Sequence, residues 1–435
     1  MAKVQQVIDH IREGRYDRAF TRLYAADTAV LEKQKARYIQ ALEQFALYYG
    51  ADREVTLYSA PGRTEIGGNH TDHNHGVVLA GAVNLDVIAV VSKNEDGFIR
   101  IKSYGFDSQF VVDLSDLTPH ENEFGSSDGL IRGVAAGIAK EGGRVGGFDA
   151  YFTSDVLQGS GLSSSAAFEV MIGAILRGEY NGNDMEKFSQ VEIAKISQYA
   201  ENVFFGKPCG LMDQTACAVG GVITIDFKDN AHPVVNQVPF DLAGQGYALC
   251  ISDTKGSHAD LTDDYAAIRR EMESVAAFFG KNVLREVNEA DFYANIAKIR
   301  PVTGDRAVLR AAHFYADSRR ARQLYEAIQD NRFQDFLKLI VEGGHSSFEY
   351  NQNAYSLSNY KEQGVSIGLA VSQKILAGRG AWRLQGGGFA GTIQAFVPLD
   401  LLETYRSAID GVFGEGSCYV LSVRNYGAVP VTEEM

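Results

Sequence analysis

The sequence predicts an α+β fold in two lobes with a helical N-terminal extension, and three features lead there. Apolar residues at helical spacing fill 3–49, short β-rich runs dominate 56–154, and long helical patterns mixed with a few strands occupy the rest. Strands and helices that come in runs, without strict alternation, favour layered α+β architecture over a doubly wound parallel sheet. The 435 residues are enough for two or three hydrophobic cores. The expected division is a helical extension over 1–50, a first lobe over 51–235 and a second over 236–435, with a soft joint between Asp229 and Gly246.

In the extension, Val4, Val7, Ile8 and Ile11, then Leu31, Tyr38, Leu42 and Phe45, recur at helical spacing, and Gly14 and Gly50 supply breaks. The β-rich part gives strands at 85–92, 98–103, 110–114 and 148–153, interrupted by one helix near 130–140. Residues 60–76 read as a polar loop after a strand. Beyond Ser163, helices reach Val203 and resume near Leu211, before strands at 221–227 and 247–253. Helices dominate 261–343, and strands return at 382–384 and 392–397 ahead of a helix from Leu399. No internal repeat or low-complexity linker stands out.

Charge and composition narrow the function classes. A net charge of −14 lacks the clustered Lys and Arg excess of a general nucleic-acid or anionic-membrane binder. The most apolar stretch, 77–91, contains Asn84 and Asp86 and is too short and polar to cross a bilayer, so it reads as buried strand. The N-terminal residues show no signal-peptide pattern. Four scattered cysteines without metal-ligand spacing fit a reducing compartment, and a cytoplasmic monomer is expected.

Chemistry concentrates in a few strings. Gly159-Ser160-Gly161-Leu162-Ser163-Ser164-Ser165-Ala166 places glycines and small hydroxylated residues at a helix start, where free N–H groups and the positive dipole end face an anion. That pattern suits a phosphate, and the serines suit a cap or a metal. The loop from Ala60 to Gly76 carries Arg63, Asn69, His70, Thr71, Asp72, His73 and His75. A metal site is one reading of its histidines and Asp72, but they match no standard ligand spacing. Mixed donors and acceptors suit a polyol better. Near the middle, Gly210-Leu211-Met212-Asp213-Gln214 puts Asp213 in the first turn of a helix, where a plain dipole complement is the alternative role. Toward the end, Gln385-Gly386-Gly387-Gly388-Phe389-Ala390-Gly391 forms a tight glycine hairpin.

Taken together and in this order, Pro61-Gly62-Arg63, His70-Thr71-Asp72, Gly161 to Ala166, Gly210 to Gln214 and Gly386 to Gly391 resemble the galactokinase branch of the GHMP small-molecule kinases. The resemblance spans about residues 55–400, leaving the extension outside. It implies a ribosomal-protein-S5-like first lobe, a ferredoxin-like second lobe and an active site between them. It also implies that the segment Gly159, Ser160, Gly161, Leu162, Ser163, Ser164 and Ser165 holds the phosphates of ATP, and that Ser165 and Glu201 hold Mg²⁺. Asp213 then corresponds to the base for the anomeric hydroxyl and Arg63 to its neighbouring cation, which keeps the carboxylate ionised. Asn69, His70, Thr71, Asp72, Gly210 and Tyr265 correspond to the sugar site. The expected reaction is phosphoryl transfer from ATP to the C1 hydroxyl of galactose.

Several positions depart from the family pattern. Asn69 stands where the family has a glutamate facing the far end of galactose, so a C6 carboxylate is expected to be less repelled and galacturonate to compete. Glu65 replaces the usual asparagine, Gly67 an apolar residue and Ala390 a glycine. N-acetylgalactosamine, arabinose or a uronic acid are the alternative substrates. A non-catalytic sensor of sugar and ATP is the alternative class, although the Ser-rich string, Glu201, Asp213 and Arg63 are all intact.

Overall fold

The computed structural model describes residues 2–24, 27–156, 161–207, 209–256 and 261–435. The extension is a short strand β1 (Ala2–Lys3) and helices α1 (Val4–Arg12), α2 (Asp17–Tyr24) and α3 (Thr28–Tyr49). Next come β2 (Glu54–Gly67), β3 (Val77–Lys93), β4 (Phe98–Ser103), β5 (Phe110–Asp113), α4 (Ser127–Lys140) and β6 (Phe148–Ser154). They are followed by α5 (Ser164–Tyr180), α6 (Gln190–Tyr199), α7 (Met212–Val219), β7 (Val222–Asp226) and β8 (Val234–Val238).

The second sheet opens with β9 (Tyr247–Asp253), and α8 (Thr262–Phe278), α9 (Glu289–Ala294) and α10 (Ile296–Thr303) come after it. Three longer helices continue as α11 (Asp305–Gln329), α12 (Phe333–Ser346) and α13 (Gly364–Leu376). Last come β10 (Ala381–Leu384), β11 (Thr392–Pro398), α14 (Leu402–Phe413), β12 (Cys418–Leu421) and β13 (Val429–Val431).

One sheet runs β1-β2-β3-β6-β4-β5, with β13 added to β2, β7 to β3 and β8 to β7; the other runs β10-β11-β9-β12. Because β13 pairs with β2, residues 429–431 lie in the first sheet, which departs from the assignment of all of 236–435 to a second lobe. β3 is long enough for two partners, β6 along 87–93 and β7 along 77–81.

The continuous apolar reading of β3 has a simple cause. Side chains alternate across a strand: Val87, Ala89 and Val91 enter the main core with α5, while Ile88 and Val90 join Leu57 and Tyr151 under the extension. Both faces of the sheet are therefore buried, and α1–α3 form a lid of Val7, Ile11, Phe20, Leu42 and Phe45 over the second one. The lid is pinned by a buried charge. Asp86, on β3 and fully buried, accepts from Arg37 Nη1 of α3 at 2.6 Å, Tyr24 Oη of α2 at 2.6 Å and Arg424 Nη1 at 2.9 Å.

Residues 60–67, expected as loop, are strand. β2 keeps pairing with β3 as far as Gly67↔Leu79, and the register shifts at Pro61/Arg63 and Glu65/Gly67 absorb the residues that suggested a turn. This extension of β2 positions the site, because Arg63 and Glu65, two residues apart, project from the same face.

Candidate active site

Arg63 on β2 and Asp213 in the first turn of α7 form a two-pronged pair, Nε to Oδ1 at 2.8 Å and Nη2 to Oδ2 at 2.7 Å. The Ser163 hydroxyl also donates to Asp213 Oδ2, and Arg63 Nη1 donates to the carbonyl of Gly161. The Arg63 N–H donates to Leu162 O at 3.0 Å, which docks the serine-rich segment on β2. Gly62 permits this approach, since a Cβ there would stand 2.8 Å from Leu162 O. Burial alone would raise the Asp213 carboxyl, but the Arg63 charge and hydrogen bonds, with Ser163, hold it below the ordinary carboxylate range.

The pair opens onto a cleft of about 200 Å³ whose walls include Arg63, Glu65, His70, Asp72, Ser165, Glu201, Gly210 and Asp213. A larger cavity of about 760 Å³ adjoins it, with apolar walls from Phe106, Phe110, Leu130, Phe152 and Phe168, and with Ser164 and Ser165 at one end. Ser165 lines both. It lies in the first turn of α5, after Ser163 has taken the left-handed conformation at φ 56°. Gly159 and Ser160 fall outside the described residues.

Glu201 is presented by a π-helical turn, Ala200–Phe204, that continues α6. Its Oε2 accepts from Gln214 Nε2 at 2.8 Å and its Oε1 from Lys207 Nζ at 3.3 Å. The Ser165 hydroxyl and the Glu201 carboxylate are hard oxygen donors facing one cleft, a set that fits a small divalent cation completing its shell with phosphate and water. No group of three or more His, Cys, Asp or Glu gathers as a metal cage among the described residues, so the histidine cluster of the 70–75 loop does not form one. His73 is half-buried beside Asn74, and His75 faces Asn230.

The remaining sugar-site candidates divide. His70 Nε2 donates to Gly387 O at 2.9 Å, and burial lowers its pKa to about 4, so the ring is neutral. Burial raises the Asp72 carboxyl, and Gly210 leaves room for it, since a Cβ at 210 would come within 2.1 Å of Asp72 Oδ2. Asn69 and Thr71 do not line the cleft, which corrects the expectation that they touch a sugar with their side chains. The Thr71 hydroxyl is buried between Gly68 O and Val77 O, at 2.9 and 3.0 Å. Asn69 is fully buried, donating from Nδ2 to Glu65 Oε1 at 2.9 Å and to Gly386 O at 2.7 Å while Oδ1 accepts from Asn353 Nδ2 at 2.9 Å. Tyr265 packs on Gly387 and donates to Gly388 O at 3.0 Å, so it braces the glycine hairpin.

Sequence reasoning missed Lys207, Gln214 and the Gly386–Gly387 wall as cleft residues, and treated Glu65 only as a departure. It also missed Glu169, one helical turn after Ser165, whose buried carboxylate accepts from Gln214 Nε2 at 3.3 Å. Helical spacing of four from Ser165 was the available signal.

Comparison with known proteins bears on this arrangement. A galactokinase galactose-binding signature matches residues 43–93, which contain Arg63, Glu65, His70 and Asp72. The GHMP kinase N-terminal domain matches 129–221, which contain Ser165, Glu201 and Asp213. The galactokinase of Actinobacillus pleuropneumoniae serotype 3 is 32% identical over 375 residues, covering 85% of this chain and 92% of that protein. The chain belongs to the galactokinase family. The galactokinase of Streptomyces coelicolor is 29% identical over 394 residues, covering 89% of this chain and 95% of its own.

Among solved structures, Lactococcus lactis galactokinase complexed with galactose aligns with a TM-score of 0.77 at 23% identity, over 91% of this chain and 99% of that one. Methanococcus jannaschii mevalonate kinase aligns at 0.60 and 13% identity, over 85% and 98%. The fold is thus that of the GHMP kinases, with a helical region added at the N-terminus. Membership makes the chain an ATP-dependent sugar kinase. No helix of the described residues is long and apolar enough to cross a membrane.

Proposed function

We propose that this chain is a galactokinase in the full sense, transferring the γ-phosphoryl group of ATP to the C1 hydroxyl of galactose and giving galactose 1-phosphate and ADP. The observation that carries the reading is the Arg63–Asp213 pair at a sugar-sized cleft that meets a larger apolar cavity at Ser165. The apolar cavity suits a nucleotide base, and the start of α5 suits the phosphates.

In the proposed step the sugar oxygen bonds to the γ-phosphorus, the bond to the β-bridging oxygen breaks with its electrons leaving on ADP, and the hydroxyl proton passes to Asp213. A carboxylate held below its ordinary pKa is a weak base, which suffices when proton removal is late and alignment and charge stabilisation supply most of the catalysis. Arg63 uses three N–H groups on Asp213 and Gly161, and its fork has two more to offer the phosphoryl oxygens. Ser165 and Glu201 would hold Mg²⁺. What a bound Mg²⁺ supplies is neutralisation of phosphate charge. All four cysteines are free, which suits the reducing cytoplasm that belongs to this reading.

The test is ADP release with galactose, N-acetylgalactosamine, galacturonate, arabinose and glucose, in wild type and Asp213→Asn. Turnover with galactose that falls by about 10³-fold or more in the variant, with ATP binding retained, is expected. No consumption with any sugar would favour the sensor reading, and full activity in the variant would remove Asp213 from the mechanism.

A further inference from the structure

Resting on the reading of the cleft as the sugar site, we propose that Glu65 is its specificity residue. Its Oε2 accepts a hydrogen bond from a hydroxyl at the end of the sugar remote from C1, and its charge turns away sugar acids. The carboxylate is held by one oxygen only. Oε1 accepts from Asn69 Nδ2 at 2.9 Å and from Arg383 Nη2 at 3.0 Å, while no described residue donates to Oε2. Arg383 is itself fully buried and committed, donating also to the carbonyls of Ile66 and Leu384. A side chain with 3% of its surface exposed, clamped on one side and lining a cleft on the other, presents an unmet acceptor to whatever fills that cleft.

Placement indicates which part of the sugar it meets. Glu65 follows Arg63 by two residues on the same face of β2, about 6.5–7 Å along the strand. That separation is comparable with the width of one sugar ring, so a sugar whose C1 hydroxyl meets Asp213 turns its other end toward Glu65. Asn69 cannot do this, because its amide is consumed inside the wall. The carboxylate expected at position 69 has in effect been supplied from position 65. On this proposal the galacturonate expectation drawn from Asn69 is reversed, because above about pH 7 the ionised Glu65 Oε2 faces that end of the sugar.

Burial pushes the Glu65 carboxyl up to about 7 against Arg383 of β10, Arg63 of β2 and the Asn69 hydrogen bond, with Asp317 of α11 adding to the rise. His70 and His313 are held neutral by burial through that pH range. Because Oε1 already takes two donors, protonation falls on Oε2 and turns a charged acceptor into an O–H donor, which weakens its bond to a sugar hydroxyl.

The experiment compares wild type with Glu65→Gln on galactose, its monodeoxy analogues and galacturonate. In wild type, KM for galactose should fall as pH rises through about 7, and one deoxy analogue remote from C1 should lose about 10–100-fold in affinity. Glu65→Gln should raise KM for galactose by a similar factor with kcat within about threefold, flatten the pH profile, add nothing further for that same analogue, and narrow the discrimination against galacturonate. A wild-type KM flat across pH together with an unchanged KM in the variant would overturn the assignment. The pH profile and deoxy panel of wild type need no variant, so misfolding of Glu65→Gln would not hide the answer. Absence of turnover with every neutral sugar would instead refute the sugar-kinase reading itself.

Discussion

Gly210→Ala is a probe of the wall proposed to hold the sugar, and its size follows from the coordinates. The new Cβ would lie 2.1 Å from Asp72 Oδ2 and 3.1 Å from its Cγ, whereas ordinary contact begins at 3.4 Å. Gly210 is not among the positive-φ glycines, so an alanine there brings no backbone strain of its own and the clash falls on Asp72. The carboxylate must therefore retreat by about 1 Å or more, and misplacement on that scale costs up to about 10²-fold in a positioned site. We expect kcat/KM for galactose to fall about 10–100-fold, chiefly through KM, with the melting temperature lowered by no more than a few degrees. A double-mutant cycle makes the reasoning refutable. In an Asp72→Ala background, adding Gly210→Ala should cost less than about 0.5 kcal/mol, since the clashing partner is gone. Equal losses in both backgrounds would show that Gly210 acts by some route other than room for Asp72.

Ser165→Ala should shift the Mg²⁺ concentration needed for half-maximal activity upward by roughly tenfold or more, and an unchanged metal titration would remove Ser165 from the ligand set. Arg37→Ala strips one partner from the buried Asp86 while leaving Arg424, and should lower stability by about 2–3 kcal/mol in thermal or urea unfolding. Burial opposes ionisation of Asp86, but Arg37 and Arg424 keep its folded pKa below the ordinary value, so that stabilisation is present above about pH 4 and is lost as pH falls through the folded value. The gap between Arg37→Ala and wild type should accordingly close only in strong acid; a gap that closes near neutrality would refute the role of this pair.

Much of the candidate site was legible because its chemistry sits in short strings. Asp213 is placed by the first turn of α7 and Ser165 by the first turn of α5, so local sequence and helix-start physics suffice to single them out. The apolar run of β3 was legible as strand for the same local reason, although its two buried faces only became clear once α1–α3 were seen to cover one of them. The strand over 60–67 was not legible, since Pro61, Gly62 and Gly67 mimic a turn and only pairing with β3 holds them extended. β13 escaped notice because three residues carry no periodic signal; its partner β2 lies some 370 residues earlier.

By itself the sequence determined the fold class and the family and singled out the candidate catalytic side chains, because motif order and helix-start chemistry are properties of neighbouring residues. Tertiary structure alone decided which of two polar side chains four positions apart faces the cleft. Asn69 is drawn into the wall by Asn353 and Gly386, groups that arrive from about 280 to 320 residues downstream, and Arg383 from the same distant region fixes Glu65 with one oxygen turned to the cleft. Hydrogen-bond satisfaction of buried groups is settled by partners in space, and no spacing along the chain encodes it.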